Sequence, residues 1–239
     1  MGADAPGMTW TKLLRWAAIA SVIDVALVNL FSEEIIPPLF VFALIWIGGI
    51  AWLTRATKGP AILLLVSFIA HIASSAPFVI PTLTVPASAG DFVLNVLGLL
   101  AGLVGIVAAI QVVRAVTGPA PAARSLAMGS VAVFVVLTAF SIFSLVTYDS
   151  AVAQEGDVEL VTADIEFDPK SIDADAGQVS VFVDNEDTVL HTFTIEDLDV
   201  DLDIPAGKAA RVTFDAEAGE YEFFCQPHKE DMEGTLTVQ

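Results

Sequence analysis

YEFFCQPHKEDMEG, residues 221–234, carries the only cysteine of the chain, one of its three histidines and one of its four methionines. Cys225 closes a stretch that alternates apolar and polar residues (Tyr221, Phe223, Cys225). His228 follows at C-x-x-H spacing, Met232 at H-x-x-x-M, and Gly234 lies just beyond. His191 stands 34 residues upstream of Cys225, in NEDTVLHTF. A thiolate, two imidazoles and a thioether are the donors of a trigonal two-histidine, one-cysteine copper site with a weak axial methionine. Three donors on one loop and a fourth on a separate strand let a rigid framework set the geometry before metal arrives. Little then has to move when the metal changes oxidation state, which suits single-electron transfer. One cysteine excludes a binuclear centre with two bridging thiolates, and two histidines are too few for a multicopper cluster.

The framework around these residues has period two. Val179, Val181 and Val183 alternate in QVSVFVD, and Leu198, Val200, Leu202 and Ile204 alternate in LDVDLDIP. Leu236 and Val238 continue the pattern at the end of the chain. In LDVDLDI every intervening residue is Asp, which predicts strands with one face in a core and the other in water. DPKS, DADAGQ, DNED, IPAGK and EAGE punctuate seven or eight such runs. That rhythm predicts an antiparallel β-sandwich, with a core that is small but sufficient.

Several motifs occur here together and in order: IEFDP ahead of AGQVSVFVDNED, then HTF, AGEYEFFC, the C-x-P-H loop and M-x-G-T-L-T-V. With them, residues from about 155 to 239 resemble the cupredoxins, the plastocyanin, halocyanin and azurin superfamily of blue copper proteins. The resemblance implies an all-β Greek-key sandwich holding one type 1 copper. His191, Cys225 and His228 would be the strong ligands and Met232 the axial one. Pro227 matches a family habit. It has no N–H to donate near the thiolate, and fewer such bonds favour a higher reduction potential. Two departures stand out: Thr192 takes a place where relatives often have Asn, and the His-to-Met spacing varies within the family.

The rest of the chain belongs to another solvent. The whole is 55% hydrophobic with a mean hydropathy of +0.73, too apolar for an ordinary soluble domain. Charge divides sharply. Through Tyr148, six bases (Lys12, Arg15, Arg55, Lys58, Arg114, Arg124) face five acids, and from Asp149 onward four bases face 24 acids. Apolar runs at about 11–31, 36–54, 60–80, 90–113 and 125–148 each approach the roughly 20 residues that cross a bilayer. The expected organisation is a five-helix transmembrane bundle over 1–148, a linker at 149–157 and the copper domain at 158–239. With the N-terminus inside, all six bases fall on the inner side and none in the two outer loops. An odd number of spans then puts the copper domain outside the cell membrane.

The first run, which is long and contains Asp24, reads as a retained span rather than a cleaved signal. AVAQEG (151–156) reads as a short linker, although it also has the look of a cleavage site. MGADAP lacks the hydroxyl residue of an acylation signal, so the spans themselves are the anchor. RATKGPA (55–61) and RAVTGPA (114–120) agree at five of seven positions, a weak sign of a duplicated helical hairpin.

Asp24 and His71 are the clear ionisable groups deep in the spans, and they could meet at one depth. They suggest either a hydrogen-bonded pair locking two helices or a proton or quinol site. A haem held by two histidines is excluded within the spans, since His71 is the one intramembrane histidine.

The functional expectation is a membrane-anchored carrier of single electrons, partnered by the lipid bilayer and by a redox protein such as a terminal oxidase or a cytochrome. Nucleic acid is not an expected partner. The alternatives are copper binding for delivery, and a quinol-linked redox protein using Asp24 and His71. Delivery proteins usually rely on exposed Met- and His-rich clusters, and the sequence holds no such run. Acid is spread over every strand and turn rather than gathered in one patch, which points to adaptation to very high salt, a halophilic source, more than to steering of a partner.

Overall fold

A computed structural model describes residues 7–32, 36–229 and 231–239. The MGADAP stretch and Glu33, Glu34, Ile35 and Glu230 lie outside the described residues. Five helices come first: α1 (Trp10–Phe31), α2 (Pro37–Trp52), α3 (Lys58–Thr84), α4 (Ala89–Val113) and α5 (Pro121–Thr147). Four of them, α1, α3, α4 and α5, are long and apolar enough to cross a membrane. The remaining one, α2, has 16 residues and is the short member, with Pro37 and Pro38 in its first turn.

The chain forms two compact units. In the helical one, small residues let helices approach closely. A methyl group on Gly105 would run into the ring of Phe68, and one on Gly49 into Leu64. Trp46, fully buried, donates from Nε1 to Ser67 Oγ at 3.0 Å and stacks on Phe68. Large apolar side chains such as Leu44, Val66 and Met128 are exposed along the outer faces, as lipid-facing residues would be. Ala120 N–H donates to Met8 C=O at 2.8 Å, which brings the start of α1 beside the start of α5.

α3 runs past the expected end of its span through both Pro77 and Pro81. Proline's fixed φ is helical, so the last turns persist although two N–H donors are missing. The two echoing heptads take different local structures. In RATKGPA the helix has begun by Lys58, whereas all of RAVTGPA precedes α5.

The second unit holds nine strands among the described residues: β1 (Val158–Ala163), β2 (Glu166–Asp168), β3 (Ser171–Ala174), β4 (Gly177–Asn185), β5 (His191–Ile195), β6 (Val200–Ile204), β7 (Ala209–Ala216), β8 (Gly219–Phe224) and β9 (Glu233–Val238). One sheet has the order β2-β1-β4-β7 and the other β3-β9-β8-β5-β6. β1 lies parallel to β4 and β3 parallel to β9; the other pairs are antiparallel. The same unit takes in Thr84–Phe92 and α5 from Ser141 onward. Within it, Leu190 N–H donates to Asp91 Oδ2 at 2.6 Å and Ser141 Oγ to Pro86 C=O at 2.7 Å.

The period-two reading holds in detail along β4, where Val179, Val181 and Val183 are buried. It fails at Leu198, which sits in a single 3-10 turn, Glu196–Leu198, before β6 begins. Between the sheets, Phe167, Phe193 and Phe223 form an aromatic cluster with centroids 5.1–6.4 Å apart. Gly234 faces Phe223 across the β8–β9 ladder. A Cβ there would collide with the Phe223 ring and come within 2.6 Å of the Lys170 carbonyl oxygen, so the strand closes only with glycine. At the start of β1, Asp157 takes a two-pronged bond from Arg211 of β7, with Nη2–Oδ1 at 2.7 Å and Nε–Oδ2 at 2.9 Å.

Candidate metal centre

Cys225 follows the last residue of β8, and a single 3-10 turn, Gln226–His228, swings the chain back so that His228 faces the thiol. Backbone bonds pin this loop. Cys225 N–H donates to Met232 C=O at 3.0 Å, and His228 C=O accepts from Met232 N–H at 2.9 Å. His191 opens β5 on the neighbouring strand, where all five residues are buried. The result brings three donors together. Cys225 Sγ lies 3.5 Å from His191 Nδ1 and 3.4 Å from His228 Nδ1, and all three atoms are within 4.8 Å of one another. Nitrogen and thiolate bonds to a first-row metal of about 2.0–2.3 Å, at angles of about 105–120°, give donor separations of about 3.5–3.8 Å. The triad fits a single metal ion, and its chemistry of two imidazoles and one thiol suits copper. His191, Cys225 and His228 form a potential copper-binding site.

Met232 is 1% exposed and belongs to the same apolar cluster as Cys225. Asp24 and His71 lie apart from this centre, on α1 and α3. Asp24 is buried against Gly98 of α4, and its Oδ1 has no hydrogen-bond partner. His71 meets Phe42 and Trp46 of α2 edge-on, with Nδ1 3.4 Å from Ser75 Oγ. Among the described residues, no hydrogen bond or ion pair joins Asp24 to His71.

Burial governs the protonation of the donors. It pushes the Cys225 thiol up to about 11, only partly offset by backbone hydrogen bonds. It lowers His228 to about 4, with help from the neighbouring His191. It also lowers His191, against the opposing pull of Asp187. Near neutral pH the metal-free triad is therefore uncharged, and a cation entering it must displace the thiol proton.

Sequence reading missed three supports. Asp187 Oδ2 lies 2.7 Å from His191 Nε2, the ring nitrogen that faces away from the thiol. Asn185, 1% exposed, donates from Nδ2 to the carbonyls of Val189 (3.0 Å) and Ile204 (2.9 Å), bracing the turn that leads into His191. Thr192 donates its N–H to Cys225 Sγ at 3.4 Å, and its hydroxyl accepts from Gln226 N–H at 2.8 Å. Where relatives often have Asn, this threonine itself ties β5 to the ligand loop. The available signal was polar residues crowding the DNEDTVLHT segment immediately before and after a candidate ligand.

The model of the cupredoxin-like domain family matches residues 131–238. Similar solved structures include a reduced mutant of amicyanin, with 19% identity over 36% of this chain and 86% of that one at a TM-score of 0.31. A Cu(I) form of another amicyanin mutant at pH 4 shows 20% identity over 38% and 90%, at a TM-score of 0.33. No curated protein matches the chain. Helices precede a β-sandwich in which a buried thiol and two imidazoles converge on one point, and the chain holds a cupredoxin-like domain within the matched residues 131–238.

Proposed function

We propose that the protein is a membrane-anchored blue copper protein that carries single electrons at the outer face of the cell membrane, to or from a respiratory complex. The observation that carries this reading is the convergence of His191 Nδ1, Cys225 Sγ and His228 Nδ1 inside a β-sandwich. When bound there, copper supplies a one-electron Cu(II)/Cu(I) couple. The chain's own residues do the rest. His191 and Cys225 are fully buried, so water is kept from them, while His228 is partly exposed and gives the site an edge toward a partner. Met232 is held by backbone bonds to both Cys225 and His228, which supports the role of axial donor. A site braced by two sheets has little to rearrange between oxidation states, as a carrier requires.

Anchoring rests on the four long apolar helices, and the outer placement counts the 16-residue apolar α2 as a fifth crossing, which keeps the number of spans odd. The inward orientation of the bases gains support from the backbone bond between Met8 and Ala120, which joins two of the three base-bearing ends. Copper delivery is less favoured, because release would require opening a triad sealed by β5 and β8.

Cu(II)-loaded protein in vesicles, copper domain outward, separates these readings. Repeated reduction and oxidation by membrane-impermeant reagents should leave copper bound in the presence of a Cu(I) chelator. Quantitative transfer of copper to the chelator on the first reduction would favour delivery instead.

A further inference from the structure

Asp187 is a carboxylate with several partners in the sandwich. Besides facing His191 Nε2 at 2.7 Å, it accepts backbone N–H bonds from Asp164 to Oδ1 at 2.9 Å and from Ile165 to Oδ2 at 3.1 Å. Its own N–H donates to Asn185 Oδ1 at 2.9 Å, and its C=O accepts from Gly207 N–H at 3.1 Å. Every polar arm of the residue is fixed. The two residues it captures are unusual in themselves. Asp164 and Ile165 both have left-handed backbones, at φ 54° and 60°. For a β-branched residue such as Ile165 that conformation is a true outlier, and it persists only where surroundings over-determine it.

The bond to His191 has a chemical consequence. A neutral imidazole carries one proton, and an acceptor at Nε2 places that proton there. Nδ1 then presents its lone pair toward Cys225 Sγ, 3.5 Å away. A carboxylate on the far nitrogen of a ligating histidine also increases the ligand's basicity, and that favours the more highly charged state of a bound metal.

We propose that Asp187 is a positioning residue of the copper site. It fixes the His191 tautomer, locks the ring to the β1–β2 turn, and holds the reduction potential below the value that the ligand set alone would give. The inference deepens the blue copper reading and rests on it.

The test uses the full chain, loaded with Cu(II), as wild type, Asp187→Asn and Asp187→Ala. Absorption, EPR, Cu(II) affinity and reduction potential are read for each. Asp187→Asn keeps an acceptor for the turn and removes the charge. It should retain the blue band while losing about tenfold in Cu(II) affinity. If Cu(I) affinity is unchanged, that tenfold loss raises the potential by about 59 mV. Asp187→Ala should move both quantities further in the same direction. A blue Asp187→Asn protein with wild-type affinity and potential would overturn the proposal while leaving the copper site standing. A wild type without the blue band would overturn the copper reading, and this inference with it.

Should both variants fail to fold, the wild type decides. In the Cu(I)-loaded protein, the His191 Nε2 proton should appear in nitrogen-15 NMR as a hydrogen-bonded, slowly exchanging resonance. Rapid exchange with water would overturn the assignment.

Discussion

At the scale of single residues, the site is a buried neutral triad waiting for a cation, and its protonation predicts a pH profile. His228 falls from 6.5 in the open chain to about 4 when folded, so the unfolded state binds more protons between these values. Stability of the metal-free protein is therefore full above 6.5 and declines as pH falls toward 4. Cys225 moves oppositely, from 9.0 to about 11, so its contribution is full below 9 and is lost as pH rises through 11. Urea unfolding of the metal-free chain should show a plateau between these limits, and a denaturation midpoint rising steadily through pH 9–11 would contradict it. The ligands were legible in the sequence because Cys, His and Met are scarce there and their spacing is specific. Asp187 was not picked out: its place four residues before His191 was its one signal, and one Asp among 24 acids after residue 148 does not stand out. Only the fold shows which carboxylate reaches an imidazole.

At the scale of elements, β5 and the ligand loop are joined through Thr192. Replacing it by Val keeps the shape, removes the hydroxyl, and leaves Gln226 N–H without its acceptor. Gln226 is exposed, so its freed N–H can turn to water and the loss is that of one ordinary hydrogen bond, about 0.5–1.5 kcal/mol. Thr192→Val should therefore lower the unfolding free energy by that amount and loosen the loop, seen as faster amide exchange at Gln226; an unchanged midpoint would show that the bond is dispensable. Gly234→Ala tests β9 of the same sheet, where overpacking against Phe223 should cost about 1–3 kcal/mol. Wild-type stability there would mean that β9 can move away freely. Alternation located most of these strands, because most have one face in the core, whereas β5 is buried on both. It misplaced Leu198, where a turn residue happened to continue the apolar rhythm. Helix ends were less legible still: hydropathy marks where a helix is apolar, whereas α3 runs on to Thr84 through two prolines that read as punctuation in the sequence.

At the scale of the whole molecule, the chain combines an apolar helical unit with a sandwich of strongly negative charge. We read that charge as adaptation to high salt. Self-repulsion among the 24 acids after Tyr148 is screened as ionic strength rises. The melting temperature of the sandwich should therefore climb between about 0.1 and 1 M KCl, over which the Debye length falls from about 10 to about 3 Å. A flat response would remove the argument for a salt-loving source. The division into two solvents was plain in the composition. What the helical unit contributes beyond anchoring was not, because Asp24 and His71 face different neighbours in the bundle and share no bond. Absorption and EPR spectra of the Cu(II)-loaded full chain, as wild type and as Cys225→Ser, report on the copper site most directly. A type 1 centre gives an intense blue thiolate-to-copper band with narrow hyperfine splitting, abolished by the substitution. A weak, ordinary Cu(II) spectrum that is the same in both proteins would contradict this reading of the site.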